Sequence, residues 1–314
     1  MKYAIIVDST AALPEAFVKE RDIKILPLHI HLNGESFPDY TSELKLEEVY
    51  DSGQINVKAD IATSPLTLEE MKDYFLKNIV PEYDVAVCQS VSKELSVIYE
   101  NIGTTAHSIA RDSRRLRNQL DISTPFRITY MNTGTTGAGQ GLVAIFAEAA
   151  LSKGMEYTNY KTQVNRFTQS VKGFTIVKDI IYSRNRSRTR GLDVVSLPKA
   201  LFGKVIGMSP IVVVQNDELV PVVMQVGFAK SANRLFNYAI DRIKEGLYFD
   251  CINISIAGAT KELAKYSAFS QLQEVAKKSR VSLMVGVSTF SSSINYSPGC
   301  ISMGIAPKNQ DAIP

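Results

Sequence analysis

One local pattern recurs along this chain: a short run rich in Ile and Val, a turn of small polar residues, and a helix-like segment. A strand with apolar side chains on both faces must be covered on both sides, so the pattern predicts a parallel sheet between two layers of helices. Three such units lie before residue 152, at YAIIVDST, YDVAVCQS and FRITYMNTGTTG. Because ligands bind beyond the carboxyl ends of parallel strands, the polar turns at 8–10, 90–96 and 132–134 are expected to meet at one edge.

The chain changes character after about residue 155. KGFTIVKD predicts a strand that runs into the basic loop RNRSRTR, and PIVVVQNDELVPVVMQV predicts a hairpin around Asn216 and Asp217. FAKSANRLFNYAIDRIKEGL has the spacing of an amphipathic helix. A length of 314 residues suits two domains. We therefore expect an α/β protein with an N-terminal parallel α/β/α domain at 1–155 and a C-terminal α+β domain at 156–314.

Composition argues against several classes of protein. A net charge of +3 is mild, so no nucleic-acid partner is expected. No uninterrupted apolar stretch approaches the roughly 18 residues of a membrane span. The three cysteines are far apart, which suits a reducing compartment, and we expect a cytoplasmic location. His29 and His31 share one strand face without a third ligand at suitable spacing, so no metal and no cofactor are expected.

The segment ADIATSPLT, residues 59–67, gathers hydroxyl side chains just before a helix-like stretch. Ser64 before Pro65 fits an N-cap followed by the first helical residue, and Thr67 with Glu70 forms a second start signal, the capping box. Capping is the simpler interpretation on spacing alone. If the helix begins at Thr67, then Thr63 and Ser64 stay in the preceding loop, where hydroxyls and N–H groups favour an anion.

The glycine-rich turn NTGTTGAGQG, residues 132–141, lies between a predicted strand and a predicted helix. It resembles a loose nucleotide-phosphate loop, but it matches neither GxGxxG nor GxxxxGK[ST]. A turn that lets the helix pack closely against the sheet explains the glycines equally well. A small-molecule kinase, or an acyl- or phosphoryl-transfer enzyme that uses this turn, is therefore the alternative hypothesis for function.

The stretch RNRSRTR, residues 184–190, carries four arginines in seven positions. A solvated loop is the simpler explanation. The sharper one is a surface where Arg184, Arg186 and Arg188 dock an acidic partner or a phosphate, because arginine offers forked donors. The sequence contains no GxSxG elbow and no HExxH motif. This lack of a catalytic set favours a binding protein over an enzyme.

Taken in order, these segments resemble the DegV family, bacterial fatty-acid-binding proteins of two domains. The resemblance covers essentially the whole chain, and its most specific parts are the opening motif and the Thr-Ser-Pro step. It is carried by VDSTAALP at 7–14, ILPLHIHLNGESFPDY at 25–40, Thr63-Ser64-Pro65, part of SKELSVIYE at 92–100, NTGTTGAGQG at 132–141 and SPIV at 209–212.

The resemblance implies that a long-chain fatty acid binds non-covalently with its acyl chain buried. It also implies that the hydroxyls of Thr63 and Ser96 hold the carboxylate, with Ser9, Ser64 and Asn295 expected around them. Part of the family presents its fatty acid to a separate kinase that makes an acyl phosphate. The resemblance therefore implies a carrier of lipid, or a presenter that acts as a non-catalytic partner of that kinase. A fatty-acid-sensing regulator with a protein partner at 184–190 is a third hypothesis.

Three segments depart from the family pattern, and in one of them Val97 and Ile98 replace the Gly-Thr that follows Ser96. Asn295 stands in NYSPG where the family usually has the histidine of HTGPG, and an amide cannot become a cation. The GGR loop of the family is replaced by Arg186-Ser187-Arg188, which keeps only the arginine. These departures concern the mouth of the expected site and the surface that would dock a kinase.

Overall fold

The structure, a computed structural model, describes residues 1–189 and 207–314, with only the backbone described for 157, 158, 184 and 187–189. The strands are β1 Tyr3–Asp8, β2 Lys24–Leu26, β3 His29–Leu32, β4 Glu35–Pro38, β5 Ile61–Ser64, β6 Val85–Ser90, β7 Arg127–Asn132, β8 Lys172–Ile176, β9 Ile211–Gln215, β10 Glu218–Val223, β11 Cys251–Ile256, β12 Ser282–Val287 and β13 Ile301–Ile305. The helices are α1 Glu15–Glu20, α2 Glu43–Asp51, α3 Leu68–Asn78, α4 Ile98–Gln119, α5 Ala138–Ser152, α6 Tyr157–Thr168, α7 Ile180–Thr189, α8 Phe228–Glu245, α9 Ser267–Lys278 and α10 Phe290–Ser293.

The first sheet is the parallel sheet that the recurring pattern predicts. Its strand order is β2-β1-β6-β7, and every neighbouring pair is parallel. Successive side chains of β1 enter different cores: Ile5 and Val7 pack with α5 and α6, whereas Ala4 and Ile6 pack with α3 and α4. Helices therefore cover both faces, which is why the strands read as continuous apolar runs.

The second sheet has the order β10-β9-β8-β13-β11-β12 and is antiparallel except between β11 and β12. Helices α8 and α9 cover one face through residues such as Phe236 and Leu272. Helix α5 packs against the other face and against β1 and β6 of the first sheet. It is therefore buried between the two sheets, and the predicted hairpin around Asn216 and Asp217 is present as β9 and β10.

A small antiparallel sheet, β4-β3-β5, links the two halves. Its residue Ile30 packs in one core with Tyr50 of α2 and with Val212, Val287 and Phe290 from the C-terminal half. The hydroxyl of Tyr50 also donates to the carbonyl of Ser288 at 2.7 Å. Since packing of this kind crosses residue 155, the domain boundary stays a prediction.

Two local predictions are wrong. Residues 63 and 64 end strand β5 rather than lying in a loop, because β5 pairs with β3. The stretch predicted as a basic loop after β8 begins within helix α7, which extends to Thr189, and Arg190 lies outside the described residues. None of the helices in the described part of the chain is long and apolar enough to pass through a lipid bilayer.

Candidate functional site

A narrow cleft lies where the carboxyl ends of β1 and β6 face the end of β5 and the short helix α10. It encloses a volume of only about 50 Å³ and is partly open to solvent. Three apolar side chains contribute to its wall, and most of the remaining side chains carry a hydroxyl or amide group. The lining residues are Thr10, Leu28, Thr63, Val91, Leu95, Ser96, Thr136, Ser291, Ser292, Asn295 and Tyr296.

Thr63 lines the cleft from near the end of strand β5, and the helix after it begins later than Ser64. The N-cap of α3 is Thr67, whose hydroxyl accepts from the N–H of Glu70 at 3.2 Å in a complete capping box. Ser64 is therefore not the cap. Alternation along β5 sends the side chains of Thr63 and Ser64 to opposite faces. The hydroxyl of Ser64 lies 2.8 Å from Nε2 of His31, away from the cleft.

Ser96 comes to the same cleft from a different element. It stands two residues before α4, and its N–H donates to the carbonyl of Ser92 at 3.2 Å. The helix that follows has no side-chain cap at Val97. Thr63 and Ser96, which are 33 positions apart in the sequence, therefore line one space, as the resemblance implies.

Of the other expected site residues, Asn295 lines the cleft and Ser9 does not. Ser9 is buried behind the wall, where its hydroxyl accepts from the N–H of Leu28 at 3.0 Å and lies 3.0 Å from the hydroxyl of Ser291. Ser9 therefore supports a lining residue rather than forming the surface. The structure thus brings Thr63, Ser96 and Asn295 together and places Ser64 and Ser9 elsewhere.

Five polar lining residues were not among the expected ligand-binding residues: Thr10, Thr136, Ser291, Ser292 and Tyr296. Thr10 carried a usable signal, because it follows the strand end at Asp8 in a sheet whose strand ends face ligands. Ser291 and Ser292 lie in the short serine run 291–293, which gives no indication of the surface it faces until the chain has folded.

A buried aspartate lies behind Thr10. Asp8 accepts hydrogen bonds from the N–H and hydroxyl of Thr10, from the N–H of Val91 at 2.7 Å and from the amide of Gln140 at 3.0 Å. Burial raises the pKa of Asp8 above its ordinary value, and these hydrogen bonds, that of the Thr10 hydroxyl foremost, act in the opposite direction. The cleft therefore has a carboxyl group in its wall that ligand cannot touch directly.

A second buried aspartate lies behind Ser291. Asp39, which is 5% exposed, accepts from the N–H of Phe290 at 3.2 Å and from both the N–H and the hydroxyl of Ser291. Burial raises the pKa of Asp39 to about 6, although the hydrogen bonds from Ser291 favour its ionised form. Two acidic groups thus flank the polar end of the cleft.

A family profile described as "Uncharacterised protein, DegV family" matches residues 2–308. This chain belongs to the DegV family. A DegV domain-containing protein of Xanthomonas axonopodis pv. citri is 26% identical to it over 306 residues, which are 98% of each chain. The resemblance drawn from the ordered motifs is therefore confirmed.

Solved structures share the fold of this DegV protein. A stearic-acid-binding protein of Eubacterium ventriosum superposes with a TM-score of 0.77 at 17% identity, over 99% of this chain and 100% of the other. The fatty acid kinase B3 protein of Streptococcus pneumoniae, loaded with linoleic acid, superposes with a TM-score of 0.72 at 13% identity, over 98% and 100% of the two chains. The predicted two-part α/β fold is confirmed.

The glycine-rich turn of this DegV protein is a packing element. A Cβ atom on Gly139 would lie 2.8 Å from Cα of Gly173 in the second sheet, and one on Gly141 would collide with the carbonyl of Ala12. At the start of α5, the N–H of Ala138 donates to the hydroxyl of Ser302 at 3.2 Å. Protein therefore fills the space around the turn, which supports the packing explanation and gives no support to a phosphate loop.

Arg186 does not lie on an exposed docking surface. It is 8% exposed, and its guanidinium donates to the carbonyls of Ile61 at 3.0 Å, Asn56 at 3.3 Å and Ala59. The docking role expected for this side chain is thus replaced by a structural one, since it fixes the segment that leads into Thr63. The side chains of Arg184 and Arg188 lie outside the described residues.

Proposed function

We propose that this DegV protein binds a long-chain fatty acid non-covalently, with the carboxyl group in the cleft between Thr63, Ser96 and Asn295. The observation that carries the proposal is the meeting of these three polar side chains, from three separate elements, beside the apolar residues Leu28 and Leu95. Two proteins with the same fold are a stearic-acid-binding protein and a protein loaded with linoleic acid, which supports the same class of ligand here.

The energetics fit a lipid. Each hydrogen bond from a neutral hydroxyl or amide contributes about 0.5–1.5 kcal/mol. Burial of the acyl chain contributes about 0.8 kcal/mol for each CH₂ group, so the chain supplies most of the affinity. The polar end of the cleft then determines the orientation of the lipid and the chemical class of head group that binds.

A binding role without catalysis agrees with the positions of the histidines. Nε2 of His29 lies 3.2 Å from Glu70, and His31 contacts Ser64, so both rings are on the side of β3 away from the cleft. His107 is exposed on α4. No histidine in the described parts of the chain is therefore placed to take a proton from the cleft hydroxyls.

We further propose that the protein works in the cytoplasm as a carrier, or as a presenter of the acid to a separate kinase. The likeness to the fatty acid kinase B3 protein supports the second role. Arg184 and Arg188 remain candidates for the docking surface. Mixing the loaded protein with a fatty acid kinase catalytic subunit, ATP and Mg²⁺ should produce an acyl phosphate if it is a presenter, and none if it is only a carrier.

Mass spectrometry of lipid extracted from the natively purified protein tests the proposal directly. We expect a stoichiometric C14 to C18 acid. The delipidated, folded protein should also take up such acids in a titration. Absence of lipid in the extract together with absence of uptake by the folded protein would refute the function. Saturating ATP with Mg²⁺ should leave the melting temperature unchanged, whereas the alternative kinase hypothesis requires it to rise.

A further inference from the structure

The hydroxyl proton of Thr10 is used inside the protein. Its Oγ1 lies next to Oδ1 of Asp8 and 2.6 Å from Oε1 of Gln140. The amide nitrogen of Gln140 is directed elsewhere, to Asp8 at 3.0 Å and to the carbonyl of Gln89 at 3.2 Å, so its oxygen faces Thr10. A hydroxyl has one proton, and both neighbours here are acceptors. Thr10 therefore presents only lone pairs to the cleft.

Two more lining hydroxyls also donate their protons to acceptors inside the protein. Ser291 donates its proton to Asp39, whose two oxygens also accept the N–H groups of Phe290 at 3.2 Å and of Ser291 at 3.0 Å. Ser292 donates its proton to the carbonyl of Thr289 at 2.9 Å. With Thr10, these residues form an acceptor wall: Thr10, Ser291 and Ser292. A ligand at this wall must bring its own hydrogen-bond donor.

Two other lining residues carry groups that can donate. Ser96 has a hydroxyl and Asn295 an amide NH₂. These groups suit the carbonyl oxygen of a carboxyl group. The lining thus includes possible donors as well as three hydroxyls that offer only acceptors, which matches a head group that both accepts and donates.

The charges around the cleft also disfavour a negatively charged head group. Among the described residues, none that lines the cleft is Lys, Arg or His. The buried carboxyls of Asp8 and Asp39 flank the acceptor wall, and burial raises the pKa of both, so a further negative charge nearby is costly. Lys93 and Glu94, on the turn that leads to Ser96, are exposed and screened by solvent.

Two titratable phenols complete the surroundings. Tyr296 lines the cleft from the segment after α10, and Tyr50 of α2 donates to the carbonyl of Ser288 at 2.7 Å. Burial raises the pKa of Tyr50 well above its ordinary value, so it stays neutral. Neither phenol supplies the positive charge that a carboxylate would need.

We propose that the cleft selects an uncharged head group that carries its own donor, and that it takes a fatty acid as the undissociated carboxyl rather than as the carboxylate. This inference rests on the proposed function and adds the protonation state of the ligand. The carboxyl O–H donates to the acceptor wall, and the carbonyl accepts from Ser96 and Asn295. Binding above the carboxyl pKa, about 4 to 5 for a free alkyl acid, then requires uptake of a proton.

The test compares tetradecanoate with tetradecanamide, which has the same chain and an uncharged donor–acceptor head. Dissociation constants are measured for both by titration calorimetry from pH 6 to pH 8.5. We expect the affinity for tetradecanoate to fall about tenfold for each unit of increase in pH. The affinity for tetradecanamide should change only by the amount that titration of the protein itself causes. The amide series measures the part of the pH dependence that titration of Asp8 and Asp39 contributes for an uncharged ligand.

The outcomes separate this inference from the proposed function. Affinity for tetradecanoate that does not change with pH, with weaker binding of the amide, would overturn the inference and leave the proposed function intact. Failure of both ligands to bind the folded protein would remove both. Asn295→His gives an independent check because it adds a group that becomes a cation below about pH 6.5. We expect it to flatten the pH dependence for tetradecanoate below that pH, and an unchanged slope would count against the inference.

Discussion

Asp39 and Ser291 are 252 positions apart in the sequence, yet the carboxylate of Asp39 accepts both the hydroxyl and the N–H of Ser291, the latter at 3.0 Å. Through this pair, the segment after β4 holds the first turn of α10 against the cleft. The same contact sets the direction of one lining hydroxyl. A single buried carboxyl thus contributes to the stability of the fold and also sets the direction in which a hydroxyl of the site donates.

Asp39 should make stability depend on pH in a defined direction. Burial raises its pKa to about 6 in the folded protein, so the folded state holds the proton more tightly than the unfolded chain. The stabilisation from this proton is complete below about pH 4 and is lost as the pH rises through 6. Between those values, the free energy of unfolding of the wild type should fall by roughly 2–3 kcal/mol relative to Asp39→Asn, which does not titrate.

Urea unfolding of the two proteins at about pH 4 and about pH 7 checks this prediction. Asp8 is present in both proteins, so its titration cancels in the comparison. Parallel pH profiles would show that Asp39 has an ordinary pKa in the folded state.

Thr63→Val should weaken fatty-acid binding by about 1 kcal/mol, roughly fivefold, because it keeps the shape of the side chain and removes one hydrogen bond to the head group. Ser64→Ala is the matched control, since it removes the neighbouring hydroxyl on the opposite face of β5. Its dissociation constant for the same acid should equal that of the wild type. Equal losses in the two variants would mean that the effect comes from β5 as a whole and not from a contact with the ligand.

Arg186→Lys should lower the free energy of unfolding by roughly 1–3 kcal/mol. The guanidinium of Arg186 donates to the carbonyls of Ile61, Asn56 and Ala59, and a single ammonium group cannot replace all of these hydrogen bonds. Fatty-acid binding should weaken as well, since the freed segment leads into Thr63. Arg115→Lys, on the exposed face of α4, is the control and should change neither quantity. Thermal unfolding and calorimetric titration measure both effects. An Arg186→Lys protein with wild-type melting temperature would contradict the structural role.

Gly139→Ala should destabilise the protein by roughly 1–3 kcal/mol, because the new Cβ would lie 2.8 Å from Cα of Gly173. Only a movement of the backbone could relieve this contact. The same substitution at Gly103 provides a comparison within another helix. There the nearest atoms belong to the side chain of Tyr130, which is only partly buried and can shift. We expect Gly103→Ala to cost much less in denaturant unfolding. Equal costs at the two glycines would argue against close packing as the reason for Gly139.

The sequence by itself determined the parallel sheet and the order of the family motifs, and it offered two candidate starts for α3. These features depend on neighbouring residues: buried strands are apolar on both faces, and the capping box joins Thr67 to Glu70 within one turn. The family motifs also located Thr63, Ser96 and Asn295, which do meet at one cleft. Local patterns were sufficient wherever the physical cause was local.

Only the tertiary structure decided which hydroxyls face the cleft and what lies behind them. Ser64 and Ser9 have suitable chemistry and turn elsewhere, because strand pairing fixes one and a hydrogen bond to Leu28 fixes the other. Arg186 is in a basic stretch typical of protein surfaces, yet it is buried and donates to a carbonyl that is far away in the sequence. The direction of each hydroxyl proton depends on acceptors that arrive from distant segments, and no local pattern encodes such a partner.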